Sequence, residues 1–132
     1  MISKTDRKTL IQYRVEQAKS TAKEADYLRN NQMYRGAMNR VYYGMFYMLQ
    51  ALALKYEYET SKHQRLIGWF NKEFVHTGIL EKKYSKIITK GYNYRTKGDY
   101  ETTFEFEESI VNEMFSAMND FILTLEKFIQ QS

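Results

Sequence analysis

Apolar residues recur at helical spacing through most of this chain, and no proline interrupts them. The segment from about Tyr34 to Tyr58 is the strongest case, because its middle is apolar on almost every side. Such a segment is typical of a helix buried at the centre of a bundle, since a surface helix keeps one polar face. No strand-like alternation competes with it. The sequence therefore predicts an all-α protein, an up-and-down bundle of four to five helices.

The breaks between the helices are predicted from glycine, asparagine, serine and threonine. The first helix ends near Asn30, and the third begins after an N-cap at Thr60–Ser61 and stops at residues 76–78. Residues 91–100 contain two glycines among polar and aromatic residues, so they are predicted to form a connection rather than a clean helix. The last helix is predicted to include Phe104 and to continue to the end of the chain.

Length and composition exclude several classes of protein. A chain of 132 residues fits one domain, residues 1–132. The absence of cysteine excludes disulfides, zinc–thiolate sites and thiol catalysis, and two histidines exclude a multi-histidine metal site. We therefore expect no metal and no cofactor. No apolar run approaches the roughly 20 residues of a membrane span, and the start of the chain lacks the apolar core of a signal peptide. A cytoplasmic protein without membrane contact is expected.

Charge is unevenly distributed along the chain. Residues 1–100 carry 19 lysines and arginines against 9 acidic residues, whereas residues 101–132 carry 1 against 7. A basic surface favours polyanionic partners such as RNA or a nucleotide, although lysines on solvated helix faces explain the excess more often. The apolar stripes of the second and last helices are wide for so small a chain, which predicts that a second copy covers part of them in a homodimer.

Four residues in the first half of the chain are candidates for binding or chemistry: Arg40, Tyr43, Lys62 and His63. His63 lies between Lys62 and Arg65 at the start of the third helix, where neighbouring cations favour neutral imidazole, a proton acceptor or an anion ligand. A surface histidine with incidental neighbours is the alternative. Arg40 shares an apolar helix with Tyr43, so its guanidinium needs acceptors or a cleft, and a buried ion pair is the structural explanation.

Arg95, Asp99 and Tyr100 form the other candidate cluster. Arginine can fork onto a phosphate, a carboxylate four residues later can hold the fork in place, and a tyrosine can stack on a base. An ion pair with an aromatic anchor that fixes a loop is the alternative. Most of the twelve tyrosines, including Tyr13 and Tyr27, lie at helical core spacing or at its edge, so packing is their expected role.

Three segments together resemble the HEPN family (higher eukaryotes and prokaryotes nucleotide-binding), in its small stand-alone prokaryotic branch. They are Ala37–Phe46 on the second helix, Ser61–His63 on the third, and Arg95-Thr-Lys-Gly-Asp-Tyr100. The resemblance implies a dimeric helical bundle with a polar cleft near the two-fold axis. It also implies metal-independent ribonuclease activity in many members, often as toxins neutralised by a partner nucleotidyltransferase.

The sequence departs from the catalytic pattern of those ribonucleases, which is an arginine followed four to six residues later by histidine. Arg95 matches the arginine, but Tyr100 stands five residues on. Three hypotheses remain open: a dimeric module that binds RNA or a nucleotide and pairs with a nucleotidyltransferase, an endoribonuclease toxin in which Arg95 and His63 are catalytic, and a structural dimeric interaction module. The missing in-loop histidine favours the first.

Overall fold

The computed structural model describes residues 2–131, and these residues form five α-helices and one π-helical turn. The helices are α1 (Lys4–Asn30), α2 (Tyr34–Lys55), α3 (His63–Phe70), α4 (Lys82–Tyr100) and α5 (Glu108–Gln130), and the π-helical turn Asn71–Val75 continues α3. Residues 2–131 contain no β-strand, so the predicted all-α bundle is confirmed. None of these helices combines the length and the apolar character needed to cross a bilayer.

Helix α2 is the centre of the bundle, as its sequence predicts. It packs against α1, α3, α4 and α5, and twelve of its residues are buried. Tyr42, Met45 and Leu49 are fully buried within one chain. The apolar stripe of α2 is therefore covered without a second copy, and the homodimer remains a prediction that this stripe no longer supports.

Residues 91–100 are helical throughout, so the predicted connection there is wrong. Gly91 and Gly98 both lie inside α4. A Cβ atom on Gly91 would lie 2.7 Å from Met45 Cε, and one on Gly98 would lie 3.0 Å from Phe106 Cε2. The glycines let neighbouring side chains approach the α4 backbone, and this tertiary packing outweighs their poor helix propensity.

Two other predicted boundaries are also wrong. Helix α2 ends at Lys55 rather than Tyr58, with Glu57 in the left-handed region at φ 58°. The N-cap of α3 is Lys62, not Thr60–Ser61, and it contributes no side-chain hydrogen bond. The Thr60 hydroxyl instead accepts a hydrogen bond from the backbone amide of Lys62 at 3.2 Å, which forms a turn before the helix rather than a cap.

The last helix begins at Glu108, so Phe104 lies in the α4–α5 connection and not in α5. Phe106 is buried in this connection, where its ring lies over Gly98. Arg35, at the start of α2, holds the same segment by donating hydrogen bonds to the backbone carbonyls of Gly98, Glu101, Thr102 and Phe104. The connection is thus fixed by one buried ring and one guanidinium.

Cations from other helices satisfy the carbonyl ends of three helices. Arg35 serves α4, Arg7 of α1 donates to the Leu54 carbonyl at the end of α2 (2.9 Å), and Lys55 of α2 donates to the last carbonyls of α5. Positive charge at a helix C-terminus is favourable because it opposes the helix dipole. Three of the cations in the basic part of the chain therefore have partners inside the protein.

Candidate functional site

The fold brings His63 and Arg95 to one surface cleft, although 31 residues separate them in the sequence. His63 begins α3 and Arg95 lies in the second half of α4, and these helices pack against each other. The cleft has a volume of about 390 Å³ and is lined by Ser61, Lys62, His63, Gln64, Arg65, Tyr92 and Arg95. We call it the His63 cleft. No carboxylate of residues 2–131 lines it.

The imidazole of His63 is held by two aromatic residues of α2. Its ring stacks on Phe46 with a centroid separation of 4.1 Å and an interplanar angle of 12°, and its Nδ1 lies 2.7 Å from the Tyr42 hydroxyl. Tyr42 is fully buried, and its hydroxyl has no other partner in the described part of the chain. If Nδ1 carried the proton, the buried hydroxyl hydrogen would have no acceptor, at a cost of about 1–3 kcal/mol. Hydrogen bonding is complete only when Tyr42 donates to Nδ1.

This arrangement sets the protonation state of His63. Burial, and then the charge of Arg95, lower the pKa of His63 below its usual 6.5, so the imidazole is neutral at pH 7. Burial raises the pKa of Tyr42 well above its usual 10, so the hydroxyl keeps its proton. A neutral imidazole that accepts at Nδ1 carries its hydrogen on Nε2. His63 therefore offers an N–H donor through the nitrogen that Tyr42 does not use.

Arg95 lies among three tyrosine rings and keeps hydrogen-bond donors unused. The carbon of its guanidinium is 5.4 Å from the ring centroid of Tyr42, 5.5 Å from that of Tyr43 and 5.6 Å from that of Tyr92. Its Nη1 pairs with Asp99 Oδ2 at 3.2 Å, as the spacing of four residues predicts. Its Nε is buried without an acceptor, and Nη2 has none in residues 2–131. Because Nε has no access to solvent, Nη2 is the unpaired donor that an anion in the cleft can reach.

The chain matches the family model of the HEPN domain over residues 11–128. It belongs to the HEPN family. Among its relatives, a UPF0332 protein of Thermotoga maritima is 33% identical over 125 residues, which cover 95% of each chain. Two proteins of Methanocaldococcus jannaschii, each named as a candidate toxin, are 41% identical over 106 residues and 30% identical over 115 residues. The 41% match covers 78% of this chain and 79% of the relative. The 30% match covers 87% of this chain and 78% of the relative.

In this HEPN chain the other predicted site residues take different positions. Lys62 is exposed at the edge of the His63 cleft. Asp99 reaches the site only through its ion pair with Arg95, and Tyr100 is 77% exposed and does not line the cleft. Tyr100 stands within the spacing at which the HEPN ribonuclease pattern has histidine. The imidazole that the cleft contains comes from α3 instead.

Arg40 lies beside the cleft rather than in it. Its Nε and Nη2 donate to Asn39 Oδ1 at 3.1 and 2.8 Å, and its Nη1 lies 3.6 Å from Glu24 Oε1. Its guanidinium carbon is also 5.3 Å from the ring centroid of Tyr43, the same ring that Arg95 contacts. Tyr43 therefore connects the two arginines that the sequence singles out.

Sequence reasoning missed several residues of this site. Tyr42 looks like an ordinary core residue, because its position in α2 is buried and its hydroxyl chemistry depends on a distant residue. Arg65 and Tyr92 both line the cleft, and the only sequence signal for Arg65 was its nearness to His63. The expected packing of Tyr13 and Tyr27 is wrong, since these side chains are 59% and 68% exposed.

Proposed function

We propose that this HEPN protein is a toxin-like module that binds a phosphate group of RNA in the His63 cleft. The observation that carries the proposal is the pairing of a neutral imidazole, which offers Nε2–H, with an arginine whose Nη2 is unpaired. Both groups donate hydrogen bonds and neither offers an acceptor, which suits a phosphate oxygen. Relatives named as candidate toxins support the toxin-like part of the proposal.

The surroundings of the cleft also favour an anion. Lys62, Arg65 and Arg95 line it together, and no carboxylate opposes them within the lining. Of the three, only Arg95 forms an ion pair with an acidic residue of the described chain. A volume of about 390 Å³ lies in the range of small-ligand sites, about 300–1,000 Å³, so one nucleotide unit is a suitable occupant.

Endoribonuclease activity is the second candidate function, because the fold supplies an imidazole beside Arg95. In this reaction Arg95 would hold the scissile phosphate and His63 would take the proton of the 2′-hydroxyl as the 2′-oxygen bonds to phosphorus. The bond from phosphorus to the 5′-oxygen would break, and the leaving 5′-oxygen would take a proton from water. A base at Nε2 requires the other tautomer, in which Nδ1–H donates to the Tyr42 oxygen and the buried hydroxyl hydrogen loses its acceptor. This cost is why binding is the first proposal and cleavage the second.

The proposal also includes two protein partners, a second copy of this chain and a nucleotidyltransferase. We propose a homodimer and a nucleotidyltransferase partner on the strength of the family resemblance. The third hypothesis, a structural dimeric interaction module, predicts that Arg95 and His63 contribute nothing to RNA binding. Light scattering at micromolar concentration tests the dimer, and a mass near 16 kDa would exclude it.

The test measures both binding and cleavage of labelled single-stranded RNA in EDTA. Arg95→Ala and His63→Ala are compared with wild type and with Lys8→Ala, a matched loss of one exposed charge on α1, away from the cleft. Binding predicts that Arg95→Ala lowers the dependence of log affinity on log salt by about 0.7, the contribution of one phosphate contact to a single strand, and that Lys8→Ala does not.

Each outcome assigns one function. Retention of intact RNA that Arg95→Ala weakens supports the binding module. Cleavage that either substitution in the cleft abolishes supports the ribonuclease. Equal retention by Arg95→Ala and Lys8→Ala would refute both proposals and leave the interaction module.

A further inference from the structure

Arg40 lines a separate cavity that also contains a lysine and a tyrosine. It has a volume of about 440 Å³ and is lined by Lys23, Glu24, Tyr27, Leu28 and Arg40, from α1 and the first part of α2. We call it the Tyr27 hollow. Tyr27 lines it although its side chain is 68% exposed. An exposed tyrosine next to lysine and arginine is the combination that binds the bases and phosphates of a single strand.

One arginine from the Tyr27 hollow and one from the His63 cleft contact the same ring, that of Tyr43. Arg40 lines the hollow and Arg95 lines the cleft, and their guanidinium carbons lie 5.3 and 5.5 Å from the centroid of that ring. The two guanidinium groups are therefore at most about 11 Å apart, the sum of these two distances. One strand of a few nucleotides can place phosphates at both.

We propose that the Tyr27 hollow is a second subsite for single-stranded RNA, in which a base stacks on Tyr27 and the adjoining phosphate contacts Arg40. This inference rests on the proposed binding of RNA phosphate in the His63 cleft. It defines the ligand further, because the two subsites together bind an oligonucleotide and the cleft alone binds a single nucleotide unit.

Glu24 competes for the proposed phosphate. Its Oε1 lies 3.6 Å from Arg40 Nη1, and its side chain is 60% exposed, so this ion pair is accessible to solvent. An arriving phosphate must displace it. Removing this carboxylate leaves Arg40 with its contacts to Asn39 and frees Nη1, so Glu24→Gln should strengthen binding of RNA that reaches the hollow.

The experiment measures how affinity grows with the length of the strand. Unlabelled oligouridylates of one, two, four and eight nucleotides compete with a labelled octamer for wild type, Tyr27→Ala, Glu24→Gln and Tyr13→Ala. Tyr13→Ala is the matched control, because Tyr13 is also an exposed tyrosine of α1 and lines neither cavity. Circular dichroism confirms that each variant is folded.

The expected result is an affinity that rises with length in wild type, with about a tenfold loss for the octamer in Tyr27→Ala, the loss of one stacked base. Glu24→Gln should bind the octamer more tightly, and Tyr13→Ala should match wild type. Equal octamer affinity in Tyr27→Ala and Tyr13→Ala would overturn the second subsite. So would a dimer that dissociates in Tyr27→Ala, because a second copy of the chain would then cover the hollow.

The two proposals fail in different ways. If uridylate binds and Arg95→Ala weakens it, but affinity does not rise with length, the His63 cleft stands and the Tyr27 hollow is excluded. If no oligonucleotide competes and the labelled octamer does not bind, both proposals are wrong.

Discussion

Replacing Tyr42 with phenylalanine tests the hydrogen bond on which the chemistry of His63 depends. The change removes one oxygen from a fully buried ring and leaves its packing in place. The lost bond to Nδ1 is 2.7 Å long, and a typical hydrogen bond contributes about 0.5–1.5 kcal/mol net. A half-buried imidazole nitrogen left without a donor adds a desolvation cost, so we expect a loss of about 1–2 kcal/mol in the free energy of unfolding.

A loss of this size should lower Tm by about 4–8 °C for a chain of this length. Tyr43→Phe is the matched control, because the Tyr43 hydroxyl forms no hydrogen bond within residues 2–131, and we expect it to change the stability by less than about 0.5 kcal/mol. Urea unfolding followed by circular dichroism measures both variants.

Nitrogen NMR of the imidazole provides a second measurement, one that packing alone would not affect. At neutral pH wild type should carry the His63 proton on Nε2, and Tyr42→Phe should show a mixture of both tautomers. A wild-type proton on Nδ1, or a Tyr42→Phe variant as stable as Tyr43→Phe, would contradict the assignment of Tyr42 as the donor.

Three further predictions concern stability. Burial and Arg95 lower the pKa of His63 in the folded protein, so His63 of the unfolded chain becomes protonated at a higher pH than His63 of the folded chain. The free energy of unfolding of wild type should therefore fall as the pH drops below 6.5. Urea melts across this range should show a weaker pH dependence for His63→Gln, and an equal dependence would contradict the assignment. Arg35→Lys replaces a fork that reaches four carbonyls with a single ammonium, so amide exchange in residues 98–104 should become faster, and unchanged exchange there would show that the fork is dispensable. Gly91→Val should lower the free energy of unfolding by more than about 2 kcal/mol, because the new side chain overpacks against α2. Gly68→Val should lower it by less, because no atom lies within 4 Å of the added Cβ. Equal losses in urea melts would show that helix propensity alone is responsible.

The helices were predictable because their apolar spacing is a local property, and this was clearest for α2. The failure at residues 91–100 involves contacts between residues that are distant in the sequence. Gly91 lowers helix propensity locally, yet it lies within α4, where Met45 Cε of α2 would be 2.7 Å from an added Cβ atom. Local propensity cannot show that a neighbouring helix needs the space.

The candidate site was predictable in its residue types but not in its geometry. Arg95 and Asp99 pair as predicted, but they do so on one face of α4 and not in the connection that the sequence predicted. The meeting of His63 with Arg95 depends on how α3 packs against α4, and no local pattern contains that information. The bond from Tyr42 joins residues 21 apart, so its role became visible only in three dimensions.

The cationic contacts at the helix ends link distant parts of the bundle in series. Arg7 of α1 fastens the final turn of α2, and Lys55, in that same turn, fastens the final turn of α5. If the beginning of α1 detaches, the last turn of α2, which contains Lys55, loses its contact with Arg7. Loss of order at the amino end of the molecule should therefore spread to its carboxyl end through two successive contacts.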